Sequence, residues 1–413
     1  MMTEPNHLAT RRPTLTRVLV KNYRSIAAAR VELGRLTFLV GPNGSGKSNF
    51  LDSLRFTCDA LRTSLDHALR ERGGIAEVRR RSAGHPTHFG IRCEFDLASG
   101  SGHYAFRVSA RSQGGFEIQT EECAVHGQRS AWFLVRDGEV QDARIAGAPP
   151  DIALPAALRD RLYLVSASAL AEFRPVYDAL SSMGFYNPNP DRIRDLQSPD
   201  SGDLLYRDGA NLTSVLRQLA SRDPGRKQSM ERYLACVAAG LRGVDVKPVS
   251  PKETLEFTQE VPGATEPWRF PAGNMSDGTL RALGILVALF QSRNPAPDAP
   301  LVGIEEPEMA LHPAATAALL DALREAAESV QVIATTQSPD LIDRAAMSDE
   351  LLLAVHAENG ETRISAVDPS GRDLLRRGLY APAELPRLDQ PQPEISLFDE
   401  GKGRLPLFDQ SES

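Results

Sequence analysis

Apolar and polar positions change rhythm along this chain, and each change marks an element. Leu15 to Asn22 (LTRVLVKN), Ala29 to Leu33 and Leu36 to Val40 are short runs that predict strands. A glycine-rich turn follows Val40. Ser48 to Leu61 then places Leu51, Leu54, Phe56 and Leu61 at helical spacing. From about 87 to 146 the pattern alternates in HFGIRCEFDL, HYAFRVSAR and GFEIQTEECAV, with Gly/Ser turns between, and predicts an antiparallel meander. Residues 150–245 read as mostly helical, broken by a turn-rich stretch at 187–203. A loop at 273–277 leads into a helix over Thr279 to Gln291. Leu301 to Ile304 and Val330 to Thr335 read as buried strands. Between them, Pro313 to Ser329 reads as a helix with proline at its start. Leu351 to His356 and Thr362 to Val367 flank Asn359-Gly360, a hairpin signal.

This order predicts an α/β fold: one head over 14–382, with a core at 14–62 and 265–368. A β-rich lobe is expected at about 87–146 and a helical insertion at about 150–245. Residues 383–413 hold seven acidic and three basic residues behind a Pro-rich lead-in, and are expected to form a flexible acidic tail.

Composition narrows the class. Of 413 residues, 41% are hydrophobic and 24% charged, with net charge −7, which excludes wholesale disorder. The longest apolar run, Ala282 to Phe290, is half of the about twenty residues that a membrane helix needs. The N-terminus has no apolar core of a secretory signal. Cys58, Cys93, Cys123 and Cys236 form no C-x-x-C pair, so neither a zinc knuckle nor a disulfide framework is expected. A cytoplasmic protein with reduced thiols, and no membrane partner, is the expectation. Arginine supplies 41 of the 47 basic residues. The acidic total argues against a nucleic-acid coat protein but leaves room for a local basic groove.

The chemistry concentrates in three stretches. Gly41-Pro42-Asn43-Gly44-Ser45-Gly46-Lys47-Ser48 fits G-x-x-x-x-G-K-[ST], between a strand and a helix. Glycines let backbone N–H groups turn inward around phosphate oxygens, and the helix offers its positive end. Lys47 is expected on the β- and γ-phosphates and the Ser48 hydroxyl on Mg²⁺. Leu301 to Ile304 runs straight into Glu305-Glu306-Pro307-Glu308, which puts carboxylates at the C-terminal edge of a strand, where open α/β sheets bind ligands. Glu305 is assigned to the metal and Glu306 to positioning and deprotonating water; Glu308 is left structural. Asn274-Met-Ser276-Asp-Gly278-Thr-Leu-Arg281 precedes an apolar helix. Read alone, Ser276 or Asp277 is a helix cap.

GPNGSGKS, NMSDGTLR, LVGIEEPEMALHP and VIATTQSP, in that order, resemble the ABC-type ATPase heads of the SMC and RecF group, and in particular its stand-alone AAA family ATPases. VKNYRSI and LTFLVGPNGSGKSNFLDSL, with Asn49 after the loop serine, strengthen the resemblance. It covers roughly residues 14 to 368. It implies two heads that trap two molecules of ATP with Mg²⁺, making a homodimer in which Ser276 and Gly278 cap the γ-phosphate held by the other subunit. It implies a seam at Leu311-His312, and a nucleotide contact for Arg24. The switch position, usually His, is Gln337, which can hydrogen-bond phosphate but cannot take up a proton.

The gap between the phosphate loop and the Ser276–Gly278 stretch, the signature loop of the resemblance, has no heptads, so the long arms of SMC proteins are not expected. About 75 residues follow Gln337 without a D-x-D, so no nuclease domain is expected. The implied function is ATP binding and hydrolysis acting on DNA, or a DNA-bound complex, in repair or antiviral defence. The alternatives are a regulatory ATPase for a separately encoded nuclease or toxin effector, and a transporter head. Arg79-Arg80-Arg81 is a candidate phosphate contact or a solvated basic helix end; His85 and His88 are too loosely placed for a metal site. The tail repeats itself in Ile395-Ser-Leu397-Phe398-Asp399 and Leu405-Pro-Leu407-Phe408-Asp409. EISLF and RLPLF resemble the pentapeptide that binds bacterial sliding clamps, with Glu394 and Arg404 in place of its Gln. The other reading is that the tail folds back and its Phe residues fill a groove on the head.

Overall fold

A computed structural model describes residues 14–82, 86–127, 129–147, 155–291, 301–346, 350–367 and 396–398. Two sheets organise it. The first runs β2-β1-β4-β5-β6-β7-β8 and is antiparallel at every step. Its strands are β1 (Thr14–Tyr23), β2 (Ile26–Glu32), β4 (His88–Leu97), β5 (Gly100–Ala110), β6 (Phe116–His126), β7 (Ala131–Arg136) and β8 (Glu139–Ile145). Alternation sets its two faces: Phe89, Ile91, Cys93 and Phe95 of β4 point into one core, and Gly90, Arg92 and Glu94 point away. The meander therefore continues the sheet that β1 and β2 begin.

The second sheet runs β16-β15-β3-β14-β13-β9. Its strands are β3 (Leu36–Val40), β9 (Gly184–Tyr186), β13 (Leu301–Glu305), β14 (Gln331–Thr336), β15 (Leu351–Glu358) and β16 (Glu361–Ala366). All neighbours are parallel except the β15–β16 hairpin, whose Asn359 and Gly360 both take positive φ. Parallel strands covered on both faces read as continuous apolar runs, and β3 is buried at all five positions. Leu39, Ile333 and Leu353 face the core shared with the first sheet and with α1 (Lys47–Arg62). Phe38, Val332 and Ile304 face a second core.

That second core is helical. It takes in α7 (Leu212–Arg222), α8 (Pro224–Val237), α9 (Asp277–Phe290) and α10 (Thr316–Ala327). From Thr279 to Phe290 every residue of α9 is buried, as expected of a helix that is apolar all round. Short helices complete the chain: α2 (Leu65–Arg70), α3 (Ile75–Val78), α4 (Tyr163–Ala167), α5 (Arg174–Ser181), α6 (Pro190–Arg194) and α11 (Pro339–Ala346).

The 150–245 stretch, read as mostly helical, also supplies β9, the edge strand of the parallel sheet. Its three residues, GFY, are too short to show a period. A separate three-stranded sheet, β10 (Leu241–Val249), β11 (Lys252–Gln259) and β12 (Trp268–Pro271), follows the helices. The helix read from Pro313 opens as a short 3₁₀ turn, Pro313–Ala315, before α10. Among the described residues no helix is long and apolar enough to cross a membrane. All four cysteines are free thiols, and only Cys236 is exposed.

Candidate nucleotide-binding site

Because β3, β13, β14, β9 and β15 are parallel, their C-terminal ends share one edge of the sheet. Four chemistry-bearing segments leave from that edge: the loop Gly41–Ser48 after β3, Glu305-Glu306 at the end of β13, Gln337 after β14 and Asn187 after β9.

The loop is held from below and open above. Pro42, Asn43 and Gly44 at its tip are exposed, while Ser45 and Lys47 are buried. Gly41 lies so close to β15 that a Cβ there would sit 2.0 Å from Val355 O. Gly46 caps α1 at φ 105°, and a Cβ on it would meet Thr362 Oγ1 of β16 at 1.9 Å. Only glycine fits both demands at Gly46. Thr362 Oγ1 donates to Ser45 O at 3.0 Å and lies 2.7 Å from Ser25 Oγ; Asn49 Nδ2 donates to Ser25 Oγ at 2.6 Å. Lys47 Nζ donates to Gly41 O at 2.7 Å and Pro42 O at 3.0 Å. Burial pushes the Lys47 pKa down, against the nearby Glu306 and Glu308 carboxylates, which favour its charge. Ser45 Oγ is buried with no hydrogen-bond partner among the described residues. The start of a sixteen-residue helix, a buried lysine and an unpartnered hydroxyl suit a phosphate chain.

The metal side is equally compact. Ser48 Oγ donates to Glu305 Oε2 at 3.2 Å. A hydroxyl and one carboxylate, with phosphate oxygens to complete the shell, are a fitting donor set for Mg²⁺. The other Glu305 oxygen accepts from Arg207 Nη2 at 2.6 Å. Glu306 takes φ 44°, an uncommon backbone state for a non-glycine. It is held there by its N–H on Thr335 O and Oγ1, both at 3.1 Å, and by Arg281 Nη2 on its own carbonyl at 3.3 Å. Strain that the surroundings enforce collects at functional sites. Glu308, left structural in the sequence, accepts from Thr336 Oγ1 at 2.6 Å and Gln337 N at 3.3 Å, and so ties the β13 and β14 loops together. Gln337 itself is exposed.

Arg24, at φ 47°, pairs with Asp52 at 3.0 Å and reaches Asn49 Oδ1 at 3.5 Å. It lines a cleft of about 180 Å³ with Ser48, Asp52, Arg55, Arg207 and Glu305. Burial alone would raise the Asp52 pKa, but Arg72, Arg24 and Arg55 around it hold the carboxyl below its ordinary value.

The signature loop stands apart. Ser276 is exposed and caps α9, its Oγ accepting from Thr279 N at 3.2 Å. Asp277 bonds Arg194. A Cβ on Gly278 would lie 2.3 Å from Ala310 O, so this loop packs on the segment that carries exposed Met309 and His312. The helix cap read from the sequence is therefore present.

Two arginines at the acidic pair were given no role in the sequence reading. Arg281 is buried and joins Asn187 Oδ1 (3.0 Å) and Pro188 O (2.8 Å) to Glu305 O (3.0 Å). It stands five residues after Ser276, in the stretch already singled out. Arg207 lies in a turn between α6 and α7, and nothing in the local sequence marks it.

Solved structures fix the fold. The SMC head bound to the C-winged-helix domain of ScpA aligns at TM-score 0.54 and 13% identity, covering 86% of this chain and 98% of that one. The SMC head with an extended coiled coil from Pyrococcus furiosus, bound to the C-terminal domain of ScpA, aligns at 0.54 and 11%, covering 89% and 99%. The SMC head with a coiled coil and joint from Pyrococcus yayanosii aligns at 0.50 and 12%, covering 89% and 100%. The fold is that of an SMC-type ATPase head. Family models agree with this head. Residues 14–105 match an "AAA ATPase domain", and residues 172–343 match "AAA domain, putative AbiEii toxin, Type IV TA system". No curated protein matches the chain.

Other readings fare differently. The run Arg79-Arg80-Arg81 is engaged within the head: Arg79 with Pro86 O at 3.0 Å, Arg80 with Glu361 at 2.6 Å and Arg81 with Glu77. His85 lies outside the described residues. So does most of the tail, including the second Leu-Phe pair, but Leu397 and Phe398 are buried on the head. At these two residues, where a flexible tail was expected, the chain packs on the head.

Proposed function

We propose that this chain binds and slowly hydrolyses ATP with Mg²⁺, and that ATP joins two heads into a homodimer acting on DNA or a DNA-bound complex. The observation that carries the reading is the convergence of Lys47, Ser48, Glu305 and strained Glu306 on one sheet edge. Lys47 releases two carbonyls and takes the β- and γ-phosphate oxygens, while the N–H groups of residues 43–48 surround them. Ser48 and Glu305 would hold Mg²⁺, which would supply neutralisation of the phosphate charge. Glu306 orients water and accepts its proton, and Gln337 bonds the γ-phosphate. Ser276 and Gly278 act on the partner's nucleotide, with Leu311-His312 at the seam. We place the protein in the cytoplasm.

A second reading is favoured by the match of residues 172–343 to a family described for a toxin–antitoxin system. Here the head is the regulatory ATPase of a separately encoded toxin or nuclease. The test is the ATPase rate with linear, single-stranded and circular DNA, for wild type and Glu306→Gln. Strong stimulation by one form, lost in the variant, supports the first reading. A rate indifferent to every DNA overturns DNA sensing and favours the second.

A further inference from the structure

The outer face of the antiparallel sheet carries a seat for a short peptide. Leu19 of β1, Gly90 and Arg92 of β4, and Ala105 and Arg107 of β5 alternate away from the main core. In register, Leu19 stands opposite Arg92, Arg92 opposite Ala105, and Gly90 opposite Arg107. Leu397 and Phe398 lie on this patch at 2% and 5% exposure, clustered with Leu19 and Ala105. A Cβ on Gly90 would come within 2.4 Å of Leu397 Cδ1, so the missing side chain makes the hole for Leu397. Arg92 Nη1 donates to Leu397 O at 3.1 Å. The Arg107 guanidinium lies 4.9 Å from the Phe398 ring centroid, within cation–π range. Ser396 Oγ turns back onto Phe398 O at 2.7 Å, so the atoms that recognise the sheet belong to Leu and Phe.

The seat holds Lys21, Arg92 and Arg107, with Arg92 shared by Glu94 Oε1 at 3.1 Å and Glu122 Oε1 at 3.9 Å, and the peptide is acidic. Lys21 stands opposite Gly90 on β1, beside Arg107, and Asp399 and Glu400 follow the Leu-Phe pair. The same pattern returns ten residues later: Leu405-Pro-Leu407-Phe408-Asp409 has an aliphatic residue, one spacer, then Leu-Phe-Asp, as does Ile395 to Asp399.

We propose that this seat is a receptor for Leu-Phe-Asp peptides and that Leu405–Asp409 is its alternative occupant, so that two repeats of one tail exchange in one site. One repeat then always stands free. The proposal does not rest on the nucleotide chemistry.

The test uses the full chain and a fluorescent peptide with the sequence of residues 393–400, read by anisotropy. Three variants are compared: Leu397→Ser with Phe398→Ser, Leu407→Ser with Phe408→Ser, and all four together. A ligand on a short flexible linker acts at an effective concentration of about millimolar, so each chain that keeps one repeat should take up the free peptide about tenfold more weakly than the four-site variant. Unlabelled peptide of residues 404–410 should displace the probe. Adding Arg107→Ala to the four-site variant should weaken uptake about fivefold through loss of the cation–π contact. If the first pair of substitutions alone opens the seat as fully as all four, the second repeat is not an occupant and the proposal falls. It falls equally if the four-site variant takes up no peptide, or if the 404–410 peptide does not compete.

Discussion

The phosphate loop and the signature loop both sit at the start of a long helix, yet they are built in opposite ways. The first is stitched into its own chain by Thr362, Asn49, Ser25 and the backbone of β15. Its polar atoms converge, and its lysine is buried. The second is exposed at Ser276 and Asp277, and its described bonds serve the cap and Arg194. A loop whose donors converge is a site. Under the proposed function, an exposed loop of this kind acts only on a nucleotide that a second head brings.

The comparison breaks first at the stitched loop. Lys47→Ala removes charge-assisted hydrogen bonds worth about 1.5–3 kcal/mol each, so ATP affinity should fall by about 100-fold or more in calorimetric titration. Gly46→Ala should do at least as much damage, because its Cβ would have to displace Thr362 against a positive φ. If either variant binds ATP normally, the convergence at this edge has no functional meaning.

Glu306 tests the chemistry apart from binding. Glu306→Gln should lower turnover by about 10²- to 10⁴-fold, the usual worth of a general base, while ATP still binds. ATP should then hold a stable dimer, visible by light scattering. Glu306→Gly should abolish turnover as well, yet raise stability by about 1 kcal/mol, since glycine accepts the φ of 44° without strain. A Glu306→Gly chain that melts lower than wild type would remove the strain argument.

How much of this was legible beforehand follows from where the information lies. The loop, its strand and its helix were readable because glycine, lysine and serine at fixed spacing are needed by local geometry, and β3 was found at Leu36–Val40 as read. The hairpin was legible from Asn359-Gly360 for the same reason. β9 was not: three residues carry no period, and only pairing with β13 makes Gly184–Tyr186 a strand. Arg207 and Thr362 were not legible either. They reach the site from 98 residues before Glu305 and 317 residues after Ser45, so only the fold brings them there. Phe398 could be read as an anchor, but not what it anchors to.

At the open loop the expected effect is smaller and more selective. Ser276→Asp keeps a good cap for α9, so the melting temperature should hardly move. The carboxylate would repel a partner's γ-phosphate. ATP binding to the single head should stay unchanged, while ATP-driven dimerisation weakens by about tenfold at the cost of one like-charge contact. Equal losses in binding and dimerisation would place Ser276 in its own chain's site and erase the contrast between the loops.

The smallest effect is expected at Arg207, and it sharpens the picture of the stitched site. Its guanidinium holds Glu305 Oε1 at 2.6 Å, while Ser48 holds Oε2. The carboxylate proposed to hold Mg²⁺ is therefore already paired with a cation. Arg207 is about half exposed, at 47%, so the pair should be worth no more than about 1 kcal/mol. Mg²⁺ must compete with it. Arg207→Ala should then lower the Mg²⁺ concentration needed for half-maximal binding of a fluorescent ATP analogue by about threefold to fivefold, an energy of that size. Affinity at saturating Mg²⁺ should be unchanged. The turn that carries Arg207 also accepts Asn187 N–H on the Arg207 carbonyl at 2.9 Å, so the competition joins the helical segment to the end of β9. A variant that needs more Mg²⁺ than wild type would mean that Arg207 positions Glu305 for the metal instead of competing with it.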